Sequence, residues 1–240
     1  VDAIGDGAVG VELGDRVVSA FIMPCGKCRH CVKGNEDLCE QFFKHNRLKG
    51  HLYDGTTRLH RLDGEDIAMY SMGGLAEYCI VPDTDVFTLP DSLDLAEAAV
   101  LGCSVFTAVG AVRNVGEVGP GDTVAIVAVG GVGLNLVQVA KAFGAARIIA
   151  IDVNTEKLEL ARQMGATDLI DSRETDPVAR VRAPWSTSTT APPSRDSRAD
   201  AGPFSRASAL TETSPLSATT MTLWPSTGRR VTVLPAFSRR

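Results

Sequence analysis

Residues Thr123 to Asp152, TVAIVAVGGVGLNLVQVAKAFGAARIIAID, constrain the fold more than any other stretch. Val124 to Val127 is a short, largely β-branched run, which suits a strand buried on both faces. Ala128-Val129-Gly130-Gly131-Val132-Gly133 then turns the backbone into a helix. Leu136, Val137, Ala140 and Phe143 recur there at helical spacing, with Gly144 placed to cap the end. Arg147 to Ile151 predicts a second strand with Asp152 at its carboxyl end. Glycines permit a tight turn and close approach of a pyrophosphate, whose charge is met by helix N-terminal N–H groups. An acidic residue about 20 positions on can bond an adenosine ribose and repel a 2′-phosphate. Strand, turn, helix, strand and acid in register therefore predict dinucleotide binding. A membrane span over 123–140 fails, because three glycines, Asn135 and Gln138 interrupt it.

A second constraint lies upstream. Cys25, Cys28, Cys31 and Cys39 have the spacing C-x2-C-x2-C-x7-C. Four thiolates in so short a loop complete a tetrahedral zinc site with no open position, which is a structural arrangement. The loop is too small for a core of its own, so metal binding would supply its folding energy, on the order of 10 kcal/mol. The rival is an iron–sulfur cluster, whose bacterial loop ends in x3-C-P; here the last gap is seven and Glu40 follows. His30 reads as a solvated loop residue.

Six cysteines in a chain with no signal-like start point to metal or free thiols and a cytoplasmic setting. The net charge of −5 supports neither nucleic acid nor an anionic membrane as partner. The first residue is Val1, and the chain reads as beginning inside a longer one. Arg16 to Ile22 and Leu75 to Val81 predict strands, and Cys79 a small packed side chain. Asp94 to Arg113 predicts a helix broken near Leu101-Gly102-Cys103-Ser104; taken alone, Cys103 reads as a buried thiol. Asn154 predicts the cap of a helix through Met164, and Asp168 to Asp171 a third strand.

Together these stretches resemble the zinc-dependent medium-chain alcohol dehydrogenases, NAD-linked branch. The resemblance rests on the four-cysteine lobe, on Asp54-Gly55-Thr56-Thr57-Arg58, on Gly73 to Tyr78, on Leu101 to Thr107, and on the glycine turn with Asp152. It implies an α/β protein: a partial β-rich GroES-like domain over 1–115 with the zinc lobe at 24–40, then the first half of a Rossmann doubly wound parallel sheet over 116–182. It also implies NAD-dependent oxidation of an alcohol to an aldehyde or ketone, a second, catalytic zinc, and a homo-oligomer. By resemblance Cys103 is a ligand of that catalytic zinc and Thr107 lines the nicotinamide pocket. Gly130, Gly131, Val132 and Gly133 hold the pyrophosphate, and Asp152 and Lys157 the ribose. The family's other catalytic-zinc ligands have no counterpart here, so the chain as written is expected to be inactive. A zinc-stabilised nucleotide-binding module without catalysis is the alternative. A zinc-lacking quinone reductase fits the cysteine lobe and Asp152 less well.

After Pro184 the composition changes. Of the last 57 residues 34 are Ser, Thr, Pro or Arg, and seven arginines face three acids, so residues 1–183 carry −9 of the net −5. Residues 183–240 read as a low-complexity, disordered tail. Residue types with AT-rich codons vanish together there, which favours translation of a GC-rich sequence in another frame. Without the later strands, Thr123–Val127 is expected to be an exposed, aggregation-prone edge.

Overall fold

The computed structural model describes residues 1–182, 221–223 and 231–235. Two compact units divide the chain, Val1–Thr107 and Ala108–Arg240. The first contains β1 (Val17–Ser19), β2 (Leu59–His60), β3 (Asp66–Ile67), β4 (Val86–Thr88) and α1 (Leu95–Ala98). β1 pairs antiparallel with β4, Val17 opposite Thr88, and β2 with β3. Asp94 caps α1 by accepting from the N–H groups of Ala96 and Glu97.

The core of this unit is small. Met23 and Phe42 are fully buried with Leu52, Met69, Cys31 and Cys39. Asn46, also fully buried, organises the loops around it. Its amide donates to the carbonyls of Met69 (3.2 Å) and Ser71 (3.1 Å), and its oxygen accepts from the Ser71 N–H at 2.5 Å. An apolar helical run, Leu95–Val115, continues through α2 (Phe106–Gly110) with π-helical turns at Leu101–Val105 and Ala111–Val115. The break expected near Leu101 to Ser104 is the first π turn, where a Cβ on Gly102 would overlap the Ser19 carbonyl. By length and composition this run is sufficient to cross a membrane, with a mean hydropathy of 1.8.

The second unit is built on a parallel sheet. Its elements are β5 (Thr123–Val127), α3 (Gly131–Ala142), β6 (Arg147–Asp152), α4 (Thr155–Met164), β7 (Asp168–Asp171), α5 (Pro177–Arg182), β8 (Met221–Leu223) and β9 (Val231–Pro235). The strand order is β7-β6-β5-β9-β8. β8 runs antiparallel to β9, and the other pairings are parallel. One face buries Val124, Ile126, Ile148 and Ala150 against Leu136, Val137 and Ala140 of α3 and Leu158 and Ala161 of α4. The other buries Ala125, Ile149, Ile151 and Ile170 with Val181 of α5. Alternation along β5 and β6 thus serves two cores, as the continuous apolar runs predict. Arg147 grips Asp168 with two hydrogen bonds, 3.0 and 2.8 Å, tying the start of β6 to β7.

Three expectations change. Leu75 to Val81 is not a strand: no described residue offers it a ladder, and Leu75, Tyr78 and Ile80 are exposed. Cys79 is exposed rather than packed, and so is Cys103. β5 is not an open edge. β9 pairs with it over five positions, Thr123 opposite Val231 to Val127 opposite Pro235, and Leu234 is buried in the same core. Most of the low-complexity tail lies outside the described residues.

Candidate metal centre and nucleotide turn

The four lobe cysteines converge although two short 3-10 turns, Cys31–Lys33 and Glu36–Leu38, are all the regular structure between them. Gly34, at φ +76°, reverses the chain after the first turn. All four sulfurs lie within 4.8 Å of one another. Cys28 and Cys31 are 3.5 Å apart, and Cys25 and Cys31 4.0 Å. A tetrahedron with Zn–S bonds of 2.3 Å has edges of about 3.8 Å, so these distances fit zinc.

Backbone N–H groups already point at the sulfurs. Cys28 donates to Cys25 Sγ (3.3 Å), and Cys25 and Phe42 donate to Cys39 Sγ (3.2 and 3.4 Å). Hydrogen bonding to the Cys31 backbone pulls the Cys28 thiol down to about 6, whereas burial pushes Cys31 up to about 12 and raises Cys39. Burial opposes charge on the inner pair, and a divalent cation at the centre would hold all four as thiolates. Around the site, Arg29 pairs with Glu40 at 2.6 Å, and His30 lies 3.6 Å from the same carboxylate.

In the second unit, Gly130 is the N-cap of α3 with no side-chain cap, leaving the first-turn N–H groups to a ligand. A Cβ at Gly130 or Gly131 would meet nothing within 4 Å, so the turn is open on its outer side, while Gly133 is buried beneath it. Asp152 is drawn to this turn. Its Oδ2 accepts from the Val129 N–H at 2.8 Å, and Oδ1 from the N–H groups of Val153 (2.8 Å) and Asn154 (2.9 Å). Lys157 sits in the first turn of α4, where its N–H, with that of Glu156, is capped by Asn154.

Ala128 occupies φ +68°, a left-handed conformation that costs a residue with a Cβ roughly 1–2 kcal/mol. The Ala128 N–H to Ile151 carbonyl bond (2.8 Å) and the Val129–Asp152 bond hold it there. Ala128→Gly is expected to raise stability by about 0.5–1 kcal/mol, part of the relief being returned as unfolded-chain entropy. An unchanged or lower urea midpoint would contradict the strain.

Cys103 and Thr107 lie in the first unit, both exposed, on the π turn and on α2. Among the described residues the lobe is the one cluster of three or more potential metal ligands, and Cys103 is not part of it. A groove of about 370 Å³ between α4, β7 and α5, lined by Thr155, Leu158, Asp171 and Arg180 among others, lies apart from the glycine turn.

One residue escaped sequence reasoning. Asp85 is fully buried, and neither carboxylate oxygen has a hydrogen-bond partner. Burial pushes its carboxyl up to about 8. It ends a 3-10 turn, Asp83–Asp85, in which Thr84 Oγ1 donates to the Pro24 carbonyl beside the lobe at 2.5 Å. Pro-Asp-Thr-Asp reads locally as a solvated turn, so no sequence signal marks it.

Comparisons with known proteins agree with this geometry. Residues 1–91 match the alcohol dehydrogenase GroES-like domain, and residues 131–189 match the zinc-binding dehydrogenase family. The S-(hydroxymethyl)glutathione dehydrogenase of Saccharomyces cerevisiae is 39% identical over 175 residues, covering 72% of this chain and 45% of the relative. Its Synechocystis counterpart is 39% identical over 180 residues, 74% and 48%. Among solved structures, an alcohol dehydrogenase zinc-binding domain protein from Burkholderia ambifaria superposes with a TM-score of 0.70 at 33% identity, covering 75% of this chain and 49% of that one. Benzyl alcohol dehydrogenase from Acinetobacter calcoaceticus gives 0.68 at 32%, covering 75% and 48%. The chain spans about half the length of the curated relatives it matches. Two family matches on the two units, the sulfur tetrahedron and the acid-tethered glycine turn converge on one conclusion: the chain belongs to the zinc-dependent medium-chain alcohol dehydrogenases.

Proposed function

We propose that the chain is the lobe-bearing and adenosine-binding portion of an NAD-dependent, zinc-dependent alcohol dehydrogenase, a cytoplasmic, homo-oligomeric oxidoreductase acting on a small alcohol or aldehyde. The observation that carries this reading is the Asp152 carboxylate, fixed by three N–H bonds beside the uncapped start of α3. NAD, when bound, accepts the hydride. The residues present bind and orient it: the N–H groups after Gly130, with Val132 and Gly133, meet the pyrophosphate, and Asp152 takes the ribose hydroxyls with Lys157 nearby. A 2′-phosphate would meet the same carboxylate and be repelled. By resemblance, Cys103 would supply one thiolate to a catalytic metal and Thr107 would line the nicotinamide pocket. Cys25, Cys28, Cys31 and Cys39 would hold a zinc with four protein ligands and no open position, a metal that would shape the lobe and take no part in turnover.

A second reading, a zinc-stabilised nucleotide-binding module without catalysis, is favoured by one observation: among the described residues Cys103 belongs to no cluster of three or more potential ligands. Two measurements separate these. NADH titration followed by fluorescence should show binding, with NADPH much weaker. Asp152→Asn should weaken NADH about tenfold, the equivalent of one charge-assisted hydrogen bond, and narrow the preference over NADPH. Alcohol-dependent NADH formation is then assayed on this chain and on a longer chain with the length of its relatives. Cofactor binding without turnover in both would establish the module; no cofactor binding at all would refute both readings.

A further inference from the structure

We propose that the four-cysteine lobe is a peroxide-sensitive zinc switch in which Cys28 and Cys31 form the disulfide. The inference rests on zinc occupying the lobe, as proposed above, and asks what else this sulfur geometry can do. The four sulfurs differ in access and in distance. Cys39 is fully buried against Met23 and Phe42, and two N–H groups hold its sulfur. Cys31 is buried, whereas Cys25 and Cys28 are half-buried and reachable from solvent. Cys28 and Cys31 are in contact at 3.5 Å, nearer than the 4.0 Å from Cys25 to Cys31. A disulfide at about 2.05 Å therefore needs a closure of roughly 1.5 Å between two residues in one tight turn.

The oxidant is a hydroperoxide, represented by hydrogen peroxide. The Cys28 thiolate attacks the O–O bond, becoming a sulfenic acid and releasing hydroxide, which takes a proton to give water. The Cys31 thiolate then attacks the Cys28 sulfur, forming the S–S bond and displacing the second oxygen as hydroxide, which is protonated to water. Two thiolates lose two electrons, and one peroxide becomes two waters with two protons taken up. Cys25 and Cys39 alone cannot retain a tetrahedral zinc, so the ion leaves. Because Cys31 waits on the inner side, the sulfenic acid is captured before further oxidation. A dithiol with zinc reverses the change. Cys79 and Cys103 are exposed but lie outside the cluster, and they serve as internal comparisons.

The test uses the full chain, first shown by metal analysis to carry one zinc. Absence of zinc at that stage overturns the zinc reading itself and the switch with it. The loaded protein is treated with hydrogen peroxide near one equivalent, and zinc release is followed with a zinc-responsive dye. Non-reducing peptide mass mapping then locates the bonds. The expected result is one zinc released per disulfide formed, a Cys28–Cys31 linkage 2 Da lighter than the dithiol, and recovery of zinc binding after dithiothreitol and zinc. Oxidation at Cys79 or Cys103 with zinc retained would overturn the proposal. So would a first disulfide that includes Cys39, or sulfinic acid at Cys28 without any disulfide.

Discussion

Cys39→Ser is expected to empty the lobe and dismantle the core of the first unit. Metal analysis should fall from about one zinc per chain to none, and near-UV circular dichroism of the aromatic side chains should collapse. The size follows from two losses. Structural zinc contributes roughly 10–16 kcal/mol of apparent binding energy at neutral pH, and in a loop without its own core that energy is folding energy. Cys39 also sits fully buried beside Phe42 and Met23, where the core has few other large residues. A hydroxyl there ligates zinc poorly and leaves the N–H groups of Cys25 and Phe42 facing a weaker acceptor. Cys79→Ser, at an exposed position outside the cluster, should keep its zinc and its spectrum. Retention of zinc by Cys39→Ser would mean that the fourth ligand lies elsewhere.

Asp85→Asn is expected to stabilise the protein at alkaline pH and to do little in acid. The carboxyl of Asp85 is pushed by burial from an ordinary value of 3.8 to about 8. In the unfolded chain it titrates near 3.8, so between about pH 4 and pH 8 the folded state holds a proton that the unfolded state has lost. Stability therefore falls as pH rises across that window, the sign opposite to that of a salt-bridged carboxylate. Above pH 8 the folded protein carries a buried charge with no hydrogen-bond partner, a cost of at least about 1–3 kcal/mol. Asparagine keeps the shape and removes the charge. In urea titrations, the difference between variant and parent should be smallest near pH 3.5 and grow toward pH 8.5. Parallel pH profiles for the two proteins would show that Asp85 is not the titrating group.

What the sequence revealed, and what it hid, divides by the range of the interactions involved. α4 was legible because its cap is local: Asn154 accepts from residues two and three positions ahead. The cysteine lobe was legible because a tetrahedron in one short loop writes itself as spacing. β5 and β6 were legible because burial on both faces demands continuous apolar runs. Leu75 to Val81 has strand-forming residues, but a strand exists only with a ladder, and no described residue provides one. Asp85 is buried by packing that its neighbours in sequence do not encode. β9 was invisible for a related reason: Val-Thr-Val-Leu-Pro sits in a segment dominated by serine, threonine, proline and arginine, and the apolar edge it covers is far away in the chain. The strain at Ala128 was not legible, because only the backbone shows the left-handed φ that makes it costly.

The pairing of β9 with β5 also carries a cost in time. Thr123 meets Arg147 across one helix, yet meets Val231 only after 108 residues of chain. The local β5–β6–β7 platform can assemble early, whereas the strand that closes it is made after all the other described strands. At roughly 5–20 residues per second of synthesis, the 59 residues between the end of β7 and the start of β9 leave the apolar edge of β5 bare for about 3–12 s. During that interval the nascent chain presents to its surroundings an unpaired, largely β-branched edge that invites pairing with other chains. Crowding, expression rate and temperature therefore act on this protein through the order in which its strands arrive, independently of how stable the finished sheet is.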